Sequence, residues 1–300
     1  MITLRQLRFL TAVAEELNFS RAAERCHVTQ PTLSAGLREL EERLGVTLVE
    51  RTKRSVMMTE IGAEIAARGR ALLLGAREIE ELAAAQLRPD EGDLRLGAIP
   101  TIGPFLIPRA LPGLRARFPA LRLYLREELT ESLLEGVAAG RLDLAVIAQP
   151  YDIGSLRSMA LFDDGYHLAA PPEAPPQEAG TCETGLALLD GAHLLLLEKG
   201  HCLQRHALRA YPAGRLAQDE HFAATSLTTL ISMVSEGLGI TLLPDLAVAA
   251  GVAAHQRVAL TPLPDACPRH VVLVWRATSP RAAVFEEIGR ILQETRRALR

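Results

Sequence analysis

The sequence predicts two architectures in one chain: an N-terminal all-α winged helix-turn-helix with a linker helix, then an α/β domain of two lobes. Three observations carry that expectation. Leu33, Leu37, Leu40 and Leu44 recur at spacings of four, three and four, one face of a helix, directly behind the helix-start signal Thr29-Gln30-Pro31. Residues 59–88 carry an apolar stripe at helical spacing that stops at Arg88-Pro89. From Leu94 onward short apolar runs alternate with helical segments, the pattern of a sheet layered with helices.

Bulk composition bounds the rest. Three hundred residues, 48% of them hydrophobic, are enough for two or three units with a large core. Aromatics make up only 4%, so that core is built from Leu, Val, Ile and Ala. Apolar runs stay short of the roughly 18 residues that suggest a membrane span. Glu15 and Glu16 fall inside the first amphipathic segment and no cleavage site follows, so no leader is expected and the cytoplasm is the expected compartment. The four cysteines (Cys26, Cys182, Cys202 and Cys267) form no CxxC pair, so neither a metal site nor a cofactor is expected.

In the first segment, Ala22 and Ala23 are small enough for a crossing helix to approach closely, and Val28 sits in the turn. Thr29 is a plausible N-cap, and Pro31 falls in the first helical turn, where a missing N–H costs little. The second helix of a helix-turn-helix enters the major groove with its N-terminal residues on base edges. Gln30, Pro31, Thr32, Ser34 and Arg38 are the candidate contacts; Gln can pair with adenine and Thr can meet the thymine methyl. Arg51, Lys53 and Arg54 cluster just beyond and suit a wing lying on phosphates. A leucine-cored helical hairpin with a solvated turn is the plain alternative. The net charge of −3 divides unevenly: residues 1–70 hold eleven Lys/Arg against nine Asp/Glu, the remainder 22 against 27. A modestly basic end on an acidic body suits a chain that touches DNA through one small domain.

Arg21, Ala22, Ala23, Gln30, Pro31, Leu33, Ser34, Leu40, Glu41, Leu44, Gly45, Leu48 and Arg51 together reproduce the N-terminal signature of the LysR-type transcriptional regulators, which this segment resembles. The resemblance implies double-stranded DNA with palindromic promoter sites as partner, with RNA polymerase a further possible one. The domain boundaries expected are 1–58 for the winged helix-turn-helix and 59–88 for the linker helix. Ile61, Ile65, Leu72, Ile79 and Leu82, partly spaced at seven, favour a homodimer seam along that helix, against packing on the chain's own body. A homotetramer is implied by family likeness.

After a break at 88–93 the order runs strand (94–100), helix (104–117), strand (121–128), helix (130–142) and strand (142–148). That order predicts a parallel sheet with helices on both faces. A second set follows, with strands near 165–170, 193–198, 221–226 and 240–244 and helices near 202–210 and 227–237. A strand at 270–276 and a helix at 280–297 close the chain, and 172–186 reads as a surface connection. Two such lobes with a cleft between them resemble the periplasmic-binding-protein-like effector domain of the same family. It is expected over 92–300, with lobe I at 92–164 and 270–300 and lobe II at 165–269.

Cys202 is the residue for which the sequence suggests chemistry. A buried strand ends at Glu198, Lys199-Gly200 turns, and a helix opens near His201, which puts Cys202 in a first turn where unpaired N–H groups favour a thiolate. His201, Lys199 and Arg205 add positive charge. On the residues alone, a reactive thiol and a buried inert one stand level. The Gly200-His201-Cys202-Leu203 motif is, however, similar to the peroxidatic site of the peroxide-sensing, OxyR-type branch of the family. Ile99-Pro100-Thr101, Leu129-Thr130, His221-Phe222 and Gly239-Ile240-Thr241-Leu242-Leu243-Pro244 agree with that branch. The resemblance implies hydrogen peroxide as ligand, Cys202 as the peroxidatic, redox-sensing residue, and Thr101, Thr130, His201 and Arg269 as the polar residues that bind and polarise peroxide.

Two departures matter. Where that branch carries a resolving cysteine, nine residues after the first, this chain has Tyr211. Arg205 stands where an acidic residue is common. The expectation is therefore a one-cysteine sensor in which peroxide converts Cys202 to a sulfenic acid, with no disulfide to a resolving cysteine. Two alternatives stand beside it: a regulator that binds a small metabolite between the lobes with Cys202 passive, and a thiol peroxidase, which the missing resolving cysteine and the DNA-binding segment disfavour. Cys26 is expected in the core, and Cys182 and Cys267 as structural residues.

Overall fold

The computed structural model describes residues 1–51, 56–87, 90–172, 193–198, 217–264 and 266–299. It divides into two compact units, Met1–Leu87 and Arg88–Arg300.

The first unit opens with α1 (Leu4–Glu16), whose N-terminus is closed by a reciprocal capping box between Thr3 and Gln6. In α2 (Phe19–Cys26) the Asn18 side chain accepts the N–H groups of Ser20 and Arg21. His27 ends that helix in the left-handed region at φ 57°. Thr29 then caps α3 (Gln30–Leu44) through the Thr32 N–H, and Pro31 sits in the first turn as expected. Leu33, Leu37 and Leu40 are fully buried against Phe9, Leu10, Val13, Ala22 and Ala23. Cys26 joins this core, and burial pushes its thiol pKa up.

The expected all-α content is broken by β1 (Val49–Arg51) and β2 (Val56–Met58), which pair antiparallel. Three-residue strands are too short to show a period-two pattern. The long helix α4 (Glu60–Leu87) follows. It comes so close to the preceding loop that a Cβ on Gly62 would collide with the Leu48 carbonyl oxygen. Ile65 packs on the core, whereas Ile61, Leu72 and Ile79 are exposed. The side chain of Leu82 lies outside the described residues.

The second unit is built on a five-stranded sheet in the order β4-β3-β5-β12-β6. Its chain order is β3 (Gly92–Ala98), α5 (Gly103–Arg117), β4 (Leu121–Glu127), α6 (Thr130–Ala138), β5 (Leu144–Gln149) and β6 (Leu156–Asp164). The chain then leaves this sheet, and returns as β12 (Arg269–Arg276) and α9 (Ala282–Ala298). β3 runs parallel to β4 and β5, but β12 lies antiparallel between β5 and β6. The three strands of the 94–148 run are parallel as expected, and the sheet becomes mixed only through β12 and β6, for which the sequence carried no direction: a buried apolar run such as 271–274 reports burial and not direction. Strand β6 was not expected at all; it is an edge strand with interrupted burial.

The second sheet has the order β10-β7-β11, with β7 (Tyr166–Ala170) antiparallel to both β10 (Thr241–Pro244) and β11 (Ala259–Leu263). Strand β11, mostly exposed or half-buried, was also unexpected. A parallel pair, β8 (His193–Leu197) and β9 (Ala217–Ala224), is tied to Ile240 through a bridge at Leu194. Helices α7 (Leu227–Ser235) and α8 (Asp245–Ala249) complete what is described. The expected helix near 202–210 and all but the start of the connection at 172–186 lie outside the described residues. Each sheet has its own core, and Phe105 on α5 packs against both.

Candidate functional site

The chain crosses between the two sheets twice, from β6 to β7 at Asp164–Tyr166 and from β11 to β12 just before Arg269. The crossing residues meet. Asp164 and Arg269 are register partners at the ends of β6 and β12. Both side chains are fully buried. Arg269 donates Nε and Nη2 to Asp164 Oδ2 at 3.0 and 2.8 Å. It donates Nη1 to the Thr101 hydroxyl at 2.7 Å and Nη2 to the Thr101 carbonyl at 3.2 Å. The other carboxylate oxygen, Asp164 Oδ1, accepts the Leu246 N–H at 2.8 Å and lies 3.9 Å from Arg296 Nη2. Two desolvated charges of opposite sign are thus paired and further hydrogen-bonded, the condition under which a buried ion pair is tolerated.

Thr101 follows β3 and is 1% exposed. Because its hydroxyl oxygen accepts from a guanidinium, its own proton is left to be donated, and a neighbouring cation strengthens that donor. Thr130 opens α6 after β4 and is equally buried. Its hydroxyl has no hydrogen-bond partner among the described residues. In the parallel β3–β4 pair Ala98 lies opposite Glu127, so Thr101 and Thr130 each stand three residues beyond matching positions. Both therefore sit past the carboxyl ends of neighbouring strands, where open α/β sheets bind ligands. Beside Thr130, the Ser132 hydroxyl donates to Glu128, and with Arg126 holds that carboxyl below the usual carboxylate range against the effect of burial.

Of the five residues assigned to peroxide by resemblance, the structure brings Thr101 and Arg269 into contact and buries Thr130. His201 and Cys202 lie outside the described residues, as do Lys199, Arg205, Tyr211 and Cys182. Cys267, expected as a structural residue, is exposed. Asp164 was missed: its sequence signal was two acidic residues ending an unrecognised strand, and its partner is 105 residues away.

On the first unit, Gln30, Pro31, Thr32 and Arg38 are exposed on α3 and Ser34 is half-buried. Arg51 ends β1, its side chain outside the described residues together with all of Lys53 and Arg54. No helix among the described residues is long and apolar enough to cross a membrane.

Two family models match. Residues 4–63 match the bacterial regulatory helix-turn-helix protein, lysR family, and residues 87–297 match the LysR substrate binding domain. The hydrogen peroxide-inducible genes activator of Pectobacterium carotovorum is 38% identical over 98% of this chain and 96% of its own. The HTH-type transcriptional regulator EstR of Acinetobacter baylyi is 37% identical over 97% and 96%. Among solved structures, a cysteine-to-aspartate variant of full-length OxyR from Pseudomonas aeruginosa superposes with a TM-score of 0.78 at 35% identity, covering 98% of this chain and 95% of that one. A cysteine-to-serine variant of Corynebacterium glutamicum OxyR with hydrogen peroxide bound gives 0.64 at 29% identity, covering 100% and 94%. By both family models and by relatives spanning nearly its whole length, this chain belongs to the LysR family of transcriptional regulators and closely resembles its OxyR members.

Proposed function

We propose that the chain is a cytoplasmic DNA-binding regulator that senses hydrogen peroxide through Cys202 and controls oxidative-stress genes. The observation that carries this reading is the buried hydrogen bond from Arg269 to the Thr101 hydroxyl, beyond the carboxyl end of β3. It supplies a polarised O–H donor, and Thr130 adds a buried hydroxyl without a described partner.

In this reading the Cys202 thiolate attacks one peroxide oxygen and the O–O bond breaks. Sulfur loses two electrons and becomes a sulfenic acid. The departing oxygen leaves as hydroxide, stabilised by donors such as Thr101, and takes a proton to become water. His201 adds positive charge beside the sulfur. With Tyr211 at the resolving position, no disulfide forms there, and new hydrogen bonds of the oxidised sulfur carry the signal. Mass spectrometry after stoichiometric peroxide is expected to find one added oxygen on Cys202. A disulfide from Cys202 to Cys182 or Cys267 refutes the one-cysteine version.

The DNA face of the reading is α3 with Gln30, Pro31, Thr32, Ser34 and Arg38. The β1–β2 hairpin acts as a wing that brings Arg51, Lys53 and Arg54 to phosphates. The exposed Ile61, Leu72 and Ile79 of α4 form a homodimer seam, with assembly to a tetramer on palindromic sites and RNA polymerase as a downstream partner. A regulator that binds a small metabolite, with Cys202 passive, is the second reading. If Cys202→Ser leaves peroxide-dependent DNA binding unchanged, the metabolite reading takes over.

A further inference from the structure

We propose that Asp164 is a positioning residue for the peroxide reaction: its carboxylate fixes the plane of the Arg269 guanidinium so that Nη1 is presented to the Thr101 hydroxyl. This rests on the reading of Arg269 and Thr101 as the pair that polarises peroxide.

The geometry leads there directly. A guanidinium is a planar fork, and two of its N–H groups determine where the third nitrogen points. Here Nε and Nη2 both converge on Asp164 Oδ2, at 3.0 and 2.8 Å, and Nη1 then meets Thr101 Oγ1 at 2.7 Å. The carboxylate is itself immobilised. It is fully buried, and Oδ1 accepts the Leu246 N–H at 2.8 Å. Arg296 of α9 approaches Oδ1 to 3.9 Å. Asp164 thus joins a backbone amide of α8, the terminal helix and the Arg269 fork on one carboxyl group. The anchor of the site, at the end of β6, is held by a backbone N–H of α8, the helix that follows β10 of the second sheet.

Two accounts of Asp164 make opposite demands. If it acted only through charge, its removal would leave the site more positive, favour a thiolate and speed oxidation. If it positions Arg269, its removal lets the fork turn and slows oxidation while leaving the thiolate as reactive as before.

The experiment uses the full chain with Asp164→Asn, Arg269→Gln and the double variant. The second-order rate of Cys202 oxidation by hydrogen peroxide is measured beside its alkylation by iodoacetamide, which needs the thiolate but no polarised oxygen. Asp164→Asn is expected to slow peroxide oxidation by about tenfold or more and to leave alkylation within about twofold. The double variant is expected to be no slower than Arg269→Gln alone, because Asp164 acts through Arg269. A wild-type peroxide rate in Asp164→Asn, an increased rate, or effects that multiply in the double variant overturn the proposal. If Arg269→Gln itself reacts at the wild-type rate, it is the peroxide reading of Arg269 that fails, which is a separate outcome. Circular dichroism checks folding. Should Asp164→Asn not fold, Asp164→Glu keeps the charge and displaces it by one methylene, with the same selective loss expected. Arg269→Lys, which has no fork to orient, gives the result if neither folds: it too must lose peroxide reactivity and keep alkylation, and parity with wild type overturns the proposal.

Discussion

Asp164 and Arg269 face each other across the β6–β12 pair as the last and first residues of their strands, and their side chains close into an ion pair with no solvent exposure. The pair sits where the chain leaves the five-stranded sheet and where it returns to it.

Deleting one member strands the other as a buried charge. Asp164→Ala in the full chain is expected to lose about 3–5 kcal/mol of stability, read from urea unfolding. The double replacement Asp164→Leu with Arg269→Met removes both charges and is expected to cost far less than the sum of the single changes. A single variant within about 0.5 kcal/mol of wild type contradicts the buried pair.

Gln30 and Arg38 lie exposed on α3, outside the leucine core, so their truncation separates binding from folding. Gln30→Ala is expected to lose roughly 1–3 kcal/mol of affinity at one operator position and to relax specificity there. Arg38→Ala, which removes one phosphate contact, is expected to lower the salt slope of binding by about one. Both are expected to keep wild-type unfolding midpoints. Binding titrations at two salt concentrations, on operator and on scrambled DNA, check this.

The sequence spoke most clearly where the signals are local. Thr29, Pro31 and the leucine spacing fixed α3 because a cap and a helical stripe lie within one stretch of chain. Strands were legible when buried throughout, as at Leu144–Gln149, or when apolar and polar residues alternate, as at the edge strand Leu121–Glu127; Leu156–Asp164, an edge strand with interrupted burial, showed neither signal. The parallel pairing of β3 with β4 and β5 followed from their β-α-β order, whereas the sequence carried no direction for β12, since an apolar run looks the same whichever way it pairs. Thr101 and Arg269 were reached only by family resemblance, and Asp164 not at all. What joins them is a contact across more than a hundred residues, which no local pattern encodes.

Glu128 gives a pH test with a defined sign. Its folded-state pKa lies below the ordinary carboxylate value, chiefly through the Ser132 hydroxyl with help from Arg126. The unfolded chain therefore binds the proton more readily. The stabilisation is full above the unfolded value of 4.5 and is lost as pH falls through the depressed folded value. Ser132→Ala is expected to cost about 1 kcal/mol at pH 7, discounted for the partial exposure of Glu128. The gap between variant and wild type should close as the pH is taken below 4.5. A gap that persists at low pH assigns the cost to packing instead.

The exposed face of α4 sets the last expectation. Leu72 and Ile79 are 60% and 70% exposed and stand seven residues apart, the repeat that keeps apolar side chains on the seam between two helices. Apolar groups of that size gain about 1.5–3 kcal/mol each when fully buried. A second copy of the helix offers the same surface in return, and a two-fold pair of reading heads matches a palindromic site. Leu72→Glu with Ile79→Glu is therefore expected to shift the full chain toward monomer in sedimentation, and to weaken binding to a palindrome far more than to a half-site. Both positions are solvent-facing in the single chain, so its thermal unfolding should keep its cooperativity. Sedimentation unchanged from wild type would place the dimer contact elsewhere.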